Sequence, residues 1–388
     1  MTAATCRSWP VVVAVVVTAI AAGCGVDGRA KPPSTSALTE PPTSISASSS
    51  PSSTVAEATT SAVAGSSSTQ PPLLSATVVA SGLEVPWSIA FLPDGTPLVT
   101  ERDSTRILEL KADGQTVERR KIADARSTGE GGLLGIAVSP KYTSDGYVYA
   151  YYTTETDNRI TRFRLDDSPE QVLLAGIPKA SNHDGGRLAF GPDDLLYATT
   201  GDAGKKELAQ DGESLAGKIL RLNPDGTIPT SNPNSISAVY SKGHRNVQGL
   251  AWDDEGRLWA SEFGQNTTDE LNFIEPGRNY GWPDCEGMCD KDGMTNPSVT
   301  WSTSDASPSG LAYWRGDLYM AALKGKRLWR IPVTAAGAGK PETLFRDTFG
   351  RLRAVITTPN GALWITTSNR DGRGEPKPND DQILSIAP

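Results

Sequence analysis

The sequence predicts an all-β chain whose folded part is a single-domain six-bladed β-propeller. Three observations carry this reading. A phrase made of apolar-Ala-apolar, a turn and a second strand recurs six times. Each copy is followed by another strand of alternating polarity. No convincing amphipathic helix interrupts the series.

The copies run in order along the chain. They are IAFLPDGTPLVT from Ile89, IAVSPKYTSDGYVYAYYT from Ile136 and LAFGPDDLLYATTGD from Leu188. LAWDDEGRLWASEFG from Leu250, LAYWRGDLYMAAL from Leu311 and VITTPNGALWITTS from Val355 complete the set. Pro, Asp and Gly set the turn inside each copy. The strands that follow are TRILEL, NRITRFRL, GKILRL, DELNFI, KRLWRI and DQILSI. Successive copies begin about 45 to 60 residues apart, close to the period of propeller blades. The run Ser75–Ser81 precedes the first copy. It is placed to complete the last blade, which closes the ring and removes an edge strand. A pair of β-sandwiches would need a domain boundary, and residues 73–388 hold no linker-like stretch. A propeller by itself does not give a function.

Residues 1–72 are of another kind. Arg7 precedes the apolar stretch Val11–Ile20, which is shorter than a spanning helix. It reads as a secretory signal over residues 1–23. Ala21-Ala22-Gly23-Cys24 resembles the bacterial lipobox, with Cys24 as the lipidated residue. Residues 24–72 are rich in Ser, Thr and Pro and bury too little apolar area to offset chain entropy. They are expected to form a disordered tether between a membrane lipid anchor and the propeller. The expected location is the extracytoplasmic face of the cell membrane.

The net charge is −8, and the first 72 residues balance their own charges. A net acidic domain is a poor binder of phosphate backbones, so no nucleic-acid partner is expected. Of the four cysteines, Cys285 and Cys289 lie in the folded part, in C-E-G-M-C. In an oxidising compartment they are expected to pair across a tight loop. A metal pair is the alternative, but no second Cys/His pair accompanies them.

Four constellations carry chemistry. His183 stands in S-N-H-D-G-G-R-L-A-F and Asp202 in T-T-G-D-A-G, one strand later. A neutral imidazole can take a proton from an alcohol, and a carboxylate can fix its tautomer. A loop histidine bonded to backbone is the plainer reading. G-H-R-N-V-Q holds Arg245 and Asn246 just before the fourth copy. Arg offers a planar fork of donors to a carboxylate or quinone oxygen, and a structural ion pair is the alternative. S-E-F-G-Q-N-T-T-D-E-L-N offers hard oxygen ligands suited to Ca²⁺ without EF-hand spacing. Such an acidic loop can equally be a solvated one. Lys324, Arg351 and Arg353 form a cationic group near the C-terminus. Arg351 and Arg353 are two apart on an expected strand and share a face. They suit a polyanionic small ligand, or else surface ion pairs.

Together the motifs resemble the soluble quinoprotein glucose/sorbosone dehydrogenase family, whose members use pyrroloquinoline quinone (PQQ). The resemblance covers residues 80–388. It rests on E-G-G-L-L-G-I-A, H-D-G-G-R-L-A-F-G-P, G-K-I-L-R-L-N-P-D-G, G-H-R-N-x-Q-G-L-A, G-x-N-x-x-D-E-L-N and N-Y-G-W-P, in that order. It implies PQQ and Ca²⁺ as cofactors, on the top face of the propeller. It makes His183 the general base at the sugar C1 hydroxyl and Asp202 the residue that orients it. It assigns Arg245 and Asn246 to the quinone side of the cofactor and Lys324, Arg351 and Arg353 to its carboxylates. Gly264 and Gln265 would present backbone carbonyls to Ca²⁺. Glu270, Tyr280 and Asp290 match a second, structural Ca²⁺ site, and Glu130 approaches the sugar. Trp301 is the candidate aromatic over the sugar. Val247 and Gln265 each replace a usual Pro. The resemblance implies an aldose substrate, oxidised to its lactone, and an external electron acceptor. The alternative is a non-catalytic propeller that binds a ligand or protein at the envelope. A Ca²⁺ propeller lactonase gives no role to Lys324, Arg351 and Arg353 together.

Overall fold

The computed structural model describes residues 74–166 and 168–387. The expected signal, Cys24 and the whole tether lie outside the described residues. Blade 1 is Pro86–Phe91, Pro97–Glu101, Arg106–Leu110 and Thr116–Lys121. Blade 2 is Leu133–Val138, Val148–Thr153, Asn158–Phe163 and Gln171–Ile177. Blade 3 is Leu188–Phe190, Leu196–Thr199, Lys218–Leu222 and Val239–Lys242. Blade 4 is Val247–Trp252, Leu258–Glu262, Thr268–Ile274 and Val299–Ser302. Blade 5 is Pro308–Trp314, Asp317–Ala322, Arg327–Thr334 and Glu342–Leu344, with a small hairpin to Gly337–Ala338. Blade 6 is Leu352–Thr357, Leu363–Thr367, Ile383–Ala387 and, last, Ser75–Ala80 from the start of the described chain.

The ring therefore closes as the sequence predicts. Ser75 pairs with Ala387 and Thr77 with Ser385, antiparallel. The backbone groups of Ile383–Ala387 would otherwise form an open edge. Helical structure among the described residues is limited to one turn at Tyr142–Asp145 and a short 3-10 segment at Lys206–Ala209.

The core lies between blades. The apolar clusters join neighbouring blades: Leu98 and Ile107 of blade 1 meet Ile136 and Tyr152 of blade 2. Ile89 and Val99 of blade 1 meet Ile383 of blade 6 across the closure. A side chain on each blade thus completes the next, which couples all six into one unit. The ring axis carries a polar network at one level. Arg187 donates from Nε to the Gln248 carbonyl and from Nη1 to Ser88 Oγ, 2.8 Å each, and its guanidinium lies 4.3 Å from the Trp87 ring. Burial pushes its pKa down to about 9.

Antiparallel blades fix where function can sit. The chain runs down the first strand of a blade, up the second, down the third and up the fourth. So the second-to-third-strand loops and the links from one blade to the next all emerge at the same end. Glu130, His183, Arg245 and Arg351 lie in or beside blade-to-blade links. Asp202, Gly264, Gln265 and Lys324 lie in second-to-third-strand loops. Residues far apart in sequence thus meet on one face.

Candidate active site

His183 precedes the first strand of blade 3 in a left-handed backbone conformation, φ 62°. A non-glycine residue held there is strained, and such strain concentrates at functional sites. Its neighbours hold it in place. Its N–H donates to Glu130 Oε2 at 3.0 Å, and its carbonyl accepts from Ala203 N at 3.2 Å. Asp202 N donates to the Arg245 carbonyl at 2.8 Å. The 201–203 backbone is thereby stitched between the His183 and Arg245 loops. Gly201 is required there: a Cβ would lie 1.9 Å from the His183 carbonyl oxygen.

The side chains then form a directed relay. His183 Nδ1 lies 2.7 Å from Asp202 Oδ1. Asp202 also accepts from Gly204 N and from Trp282 Nε1, 2.8 Å each. Arg245 Nη2 stands 2.8 Å from His183 Nε2. A guanidinium only donates, so Nε2 carries the lone pair and Nδ1 the proton. That is the tautomer a general base needs. Burial works against the charge on Asp202, but the bonds and charge from His183, then Trp282, hold its pKa below the usual carboxylate range.

Arg245 is half-buried, and desolvation lowers its pKa. Its Nη1 donates to the Phe263 carbonyl at 3.3 Å, while Nε has no partner among the described residues. Asn246 is buried, and its amide oxygen accepts from Gly185 N at 3.0 Å. Below Arg245, His244 Nδ1 lies 2.8 Å from Glu262 Oε2 and its Nε2 2.8 Å from Ser241 Oγ. Glu262 Oε1 accepts the Arg245 backbone N–H. His244 therefore supports the loop from beneath and faces away from the site.

Arg351 and Arg353 share a side, as expected from their spacing. What joins them is Asp371. Arg351 donates to Asp371 Oδ2 from Nε at 3.0 Å and from Nη2 at 2.8 Å, and Arg353 Nη2 lies 3.5 Å away. Burial pushes Arg353 down to about 10, against the pull of Asp371. Arg102, also buried, pairs with Asp103 at 2.7 Å and repels Arg353. Lys324 is exposed and has no ion-pair partner among the described residues.

The Gly264–Thr268 loop leaves the Gly264 and Gln265 carbonyls open, and that of Thr267 as well. Among the described residues no group donates to the Gly264 or Gln265 oxygen. Gly264 N donates to Asp269 Oδ1 at 2.9 Å, and the next amides turn toward Glu286. Asp269 is pushed up to about 6 by burial. Cys285 and Cys289 are joined by a disulfide.

Other sequence-derived residues are arranged differently from one another. Glu130 holds the His183 backbone and pairs with Arg373 Nη1 at 2.8 Å. Glu270 accepts from Gly287 N at 2.7 Å and Asn272 Nδ2 at 3.1 Å, and burial, then Glu262, raises its pKa. The Tyr280 hydroxyl donates to the Phe273 carbonyl at 2.6 Å, whereas Asp290 is exposed. Among the described residues no three His, Cys, Asp or Glu side chains converge as a metal group. Trp301 stands on the outermost strand of blade 4 and packs 5.8 Å from Trp329. The aromatic at the site is instead Trp282, 5.6 Å from the Arg245 guanidinium. It was hidden because it belongs to a third-to-fourth-strand connection, which starts at the opposite end. That connection climbs along blade 3, with Tyr280 N on the Lys242 carbonyl and Trp282 N on the Gly243 carbonyl, 2.9 Å each.

Asp184, next to His183, gives a separate test. Burial pushes its pKa up to about 6, and its Oδ2 has no partner among the described residues. The unfolded value is about 3.9. A raised acid favours the folded state below the unfolded pKa and loses that contribution as pH rises through the folded one. Asp184→Asn removes this titration. The melting temperature of the variant relative to wild type is expected to rise from about pH 4 to about pH 7. A constant difference across that range contradicts the assignment.

The chain matches the Glucose / Sorbosone dehydrogenase family over residues 83–375. It is similar to the PQQ-bound aldose sugar dehydrogenase of Streptomyces coelicolor, with 50% identity and TM-score 0.78, over 81% of this chain and 98% of that one. A putative oxidoreductase (glucose dehydrogenase) from Thermus thermophilus is 42% identical with TM-score 0.76, over 81% of this chain and all of that one. An aldose sugar dehydrogenase of Escherichia coli is 28% identical over 358 residues, 82% of this chain and 94% of that protein.

Proposed function

Because the chain belongs to the glucose/sorbosone dehydrogenase family, we propose that it oxidises an aldose at C1 to the lactone, with PQQ and Ca²⁺ as cofactors. The observation that carries this reading is the relay Asp202–His183, with a lone pair at Nε2 covered by Arg245.

The residues present fit the cofactor. PQQ carries three carboxylates and an ortho-quinone. Arg351 and Arg353 hold two guanidiniums against one carboxylate, Lys324 is unpaired among the described residues, and Arg245 Nε is unsatisfied. This is a surplus of donors and positive charge in an acidic protein. The open carbonyls of Gly264 and Gln265 fit a hard cation. Asn246 belongs to the quinone side, where its fixed amide helps shape the pocket.

When bound, PQQ supplies a quinone carbon that takes the hydride from C1, and Ca²⁺ supplies the charge that polarises it. The protein supplies the rest. An anionic ligand that draws off Arg245 frees His183 Nε2 for the C1 hydroxyl. His183 takes the hydroxyl proton, and Asp202 stabilises the imidazolium that results. Trp282 holds Asp202 in place from the far side. Glu130 fixes the His183 backbone at the mouth and is the residue to approach the sugar. An external acceptor then receives the electrons.

The same reading includes export. After cleavage of the signal over residues 1–23, the lipid on Cys24 and the Ser/Thr/Pro tether would hold the propeller at the outer face of the cell membrane. Glu270, Tyr280 and Asp290 are kept as a second, structural calcium site.

The test is reconstitution. The protein is mixed with PQQ and Ca²⁺ and screened with aldoses against a redox dye. Dye reduction with lactone formation is expected, and a chelator should abolish it. PQQ bound without oxidation of any aldose would instead favour a non-catalytic binding module.

A further inference from the structure

The ring closed by Cys285 and Cys289 holds three residues, and two of them reach back to the Gly264–Thr268 loop or its strand. Glu286 Oε1 accepts from the N–H groups of Gln265, Asn266, Thr267 and Thr268 at 2.7, 2.8, 2.9 and 3.2 Å. Gly287 N donates to Glu270 Oε1 at 2.7 Å. Gly287 has φ 81°, and a Cβ there would lie 2.9 Å from the Thr268 side chain. A Cβ at Gly264 would lie 1.8 Å from the Thr268 carbonyl oxygen and 2.9 Å from Glu286 Oε1. The contact is thus close-packed on both sides.

The geometry of the peptide unit gives this contact a consequence. In a trans peptide the C=O of one residue points opposite to the N–H of the next. The N–H groups of Gln265 and Asn266 point at Glu286. The carbonyls of Gly264 and Gln265 must therefore point away from it. Neither carbonyl accepts a hydrogen bond among the described residues. One carboxylate oxygen thereby directs both. The neighbouring amide is fixed in the same manner, with Gly264 N on Asp269 Oδ1 and Ser307 N on Asp269 Oδ2 at 2.6 Å.

We propose that Glu286, carried in the Cys285–Cys289 ring, is a positioning residue that aims the Gly264 and Gln265 carbonyls at the bound calcium ion. The disulfide keeps Glu286 in reach of the loop, so calcium affinity depends on that bond. This inference rests on the reading of the loop as the calcium site.

The experiment is a calorimetric Ca²⁺ titration of the chelator-stripped full chain, with and without PQQ. Glu286→Ala is expected to weaken Ca²⁺ binding on the order of 10- to 100-fold, the usual effect of removing a group that orients a metal ligand. Glu286→Gln keeps an acceptor oxygen and should recover part of the loss. Melting temperatures separate positioning from simple support. A supporting role lowers them equally with and without Ca²⁺ and leaves the Kd unchanged. A positioning role reduces the shift that Ca²⁺ produces. Should Glu286→Ala fail to fold, dithiothreitol reduction of the wild-type disulfide provides the second arm, again with weaker Ca²⁺ binding expected. Unchanged Kd in Glu286→Ala, or in the reduced protein should that variant fail to fold, overturns the inference. Absence of Ca²⁺ binding by the wild type, with or without PQQ, overturns instead the enzyme reading on which it rests.

Discussion

His183→Ala is expected to lower kcat for aldose oxidation on the order of 10²- to 10⁴-fold, the range of a positioned general base. PQQ affinity should change little, because the imidazole gives the cofactor no charge to pair with. The expectation follows from the tautomer. Nδ1 is committed to Asp202 at 2.7 Å, and Nε2 is the free basic nitrogen under Arg245. Asp202→Asn should produce a related loss with the ring still in place, since an amide can also stabilise the wrong tautomer. With the amide oxygen held by the Trp282 indole N–H, the amide NH2 is left facing His183 Nδ1. Steady-state kinetics at saturating PQQ check both variants. Full-rate oxidation by His183→Ala would remove the base assignment and leave the cofactor site untouched.

The second large effect concerns the cofactor. Arg353→Gln is expected to weaken PQQ binding on the order of 10²-fold, as for the loss of a buried charged partner. Arg353 is 5% exposed and shares Asp371 with Arg351. Removing Arg353 leaves Asp371 with both Arg351 hydrogen bonds, so the fold should hold. The cluster then loses its positive surplus, since one cation balances one carboxylate. Arg353→Lys should rescue incompletely, because an ammonium cannot reproduce a fork of donors. PQQ titration with each variant checks this. Equal affinity in wild type and Arg353→Gln would show that these cations serve the fold alone.

Both predictions use residues that were legible in the sequence, and the reason is topological. Turn residues and alternating strands marked each blade, so the links between blades could be located. The candidate site is built from those links and from the second-to-third-strand loops at the same end. Ser75–Ala80 could be assigned to blade 6 because a ring needs a partner for its last edge. Other contributions had no local signal. Asp371 lies 18 residues beyond Arg353 in a loop of irregular composition, and its role exists only through the two arginines it bridges. Arg102 belongs to a blade 1 loop with no motif around it. Trp282 belongs to N-Y-G-W-P, but its path to the end that carries the site depends on the bonds to Lys242 and Gly243. Trp301 looked suitable as an aromatic near an acidic loop, yet its strand faces the blade 4–blade 5 core. The C-E-G-M-C segment reads as local decoration until its carboxylate is seen against four successive amides.

The acidic net charge was the least informative number for the site. Arg245, Lys324, Arg351 and Arg353 all stand in or beside loops at one end of the propeller. Local arrangement, not net charge, decides which small anion can bind.

The most direct measurement is a titration of the stripped protein with PQQ in the presence of Ca²⁺, followed by tryptophan fluorescence. Trp282 lies against Arg245 and Asp202 and reports on the site. Saturable one-to-one quenching with a Kd of about 1 μM or below is predicted, and it should weaken in Arg353→Gln. No saturable binding in the micromolar range would contradict the enzyme reading.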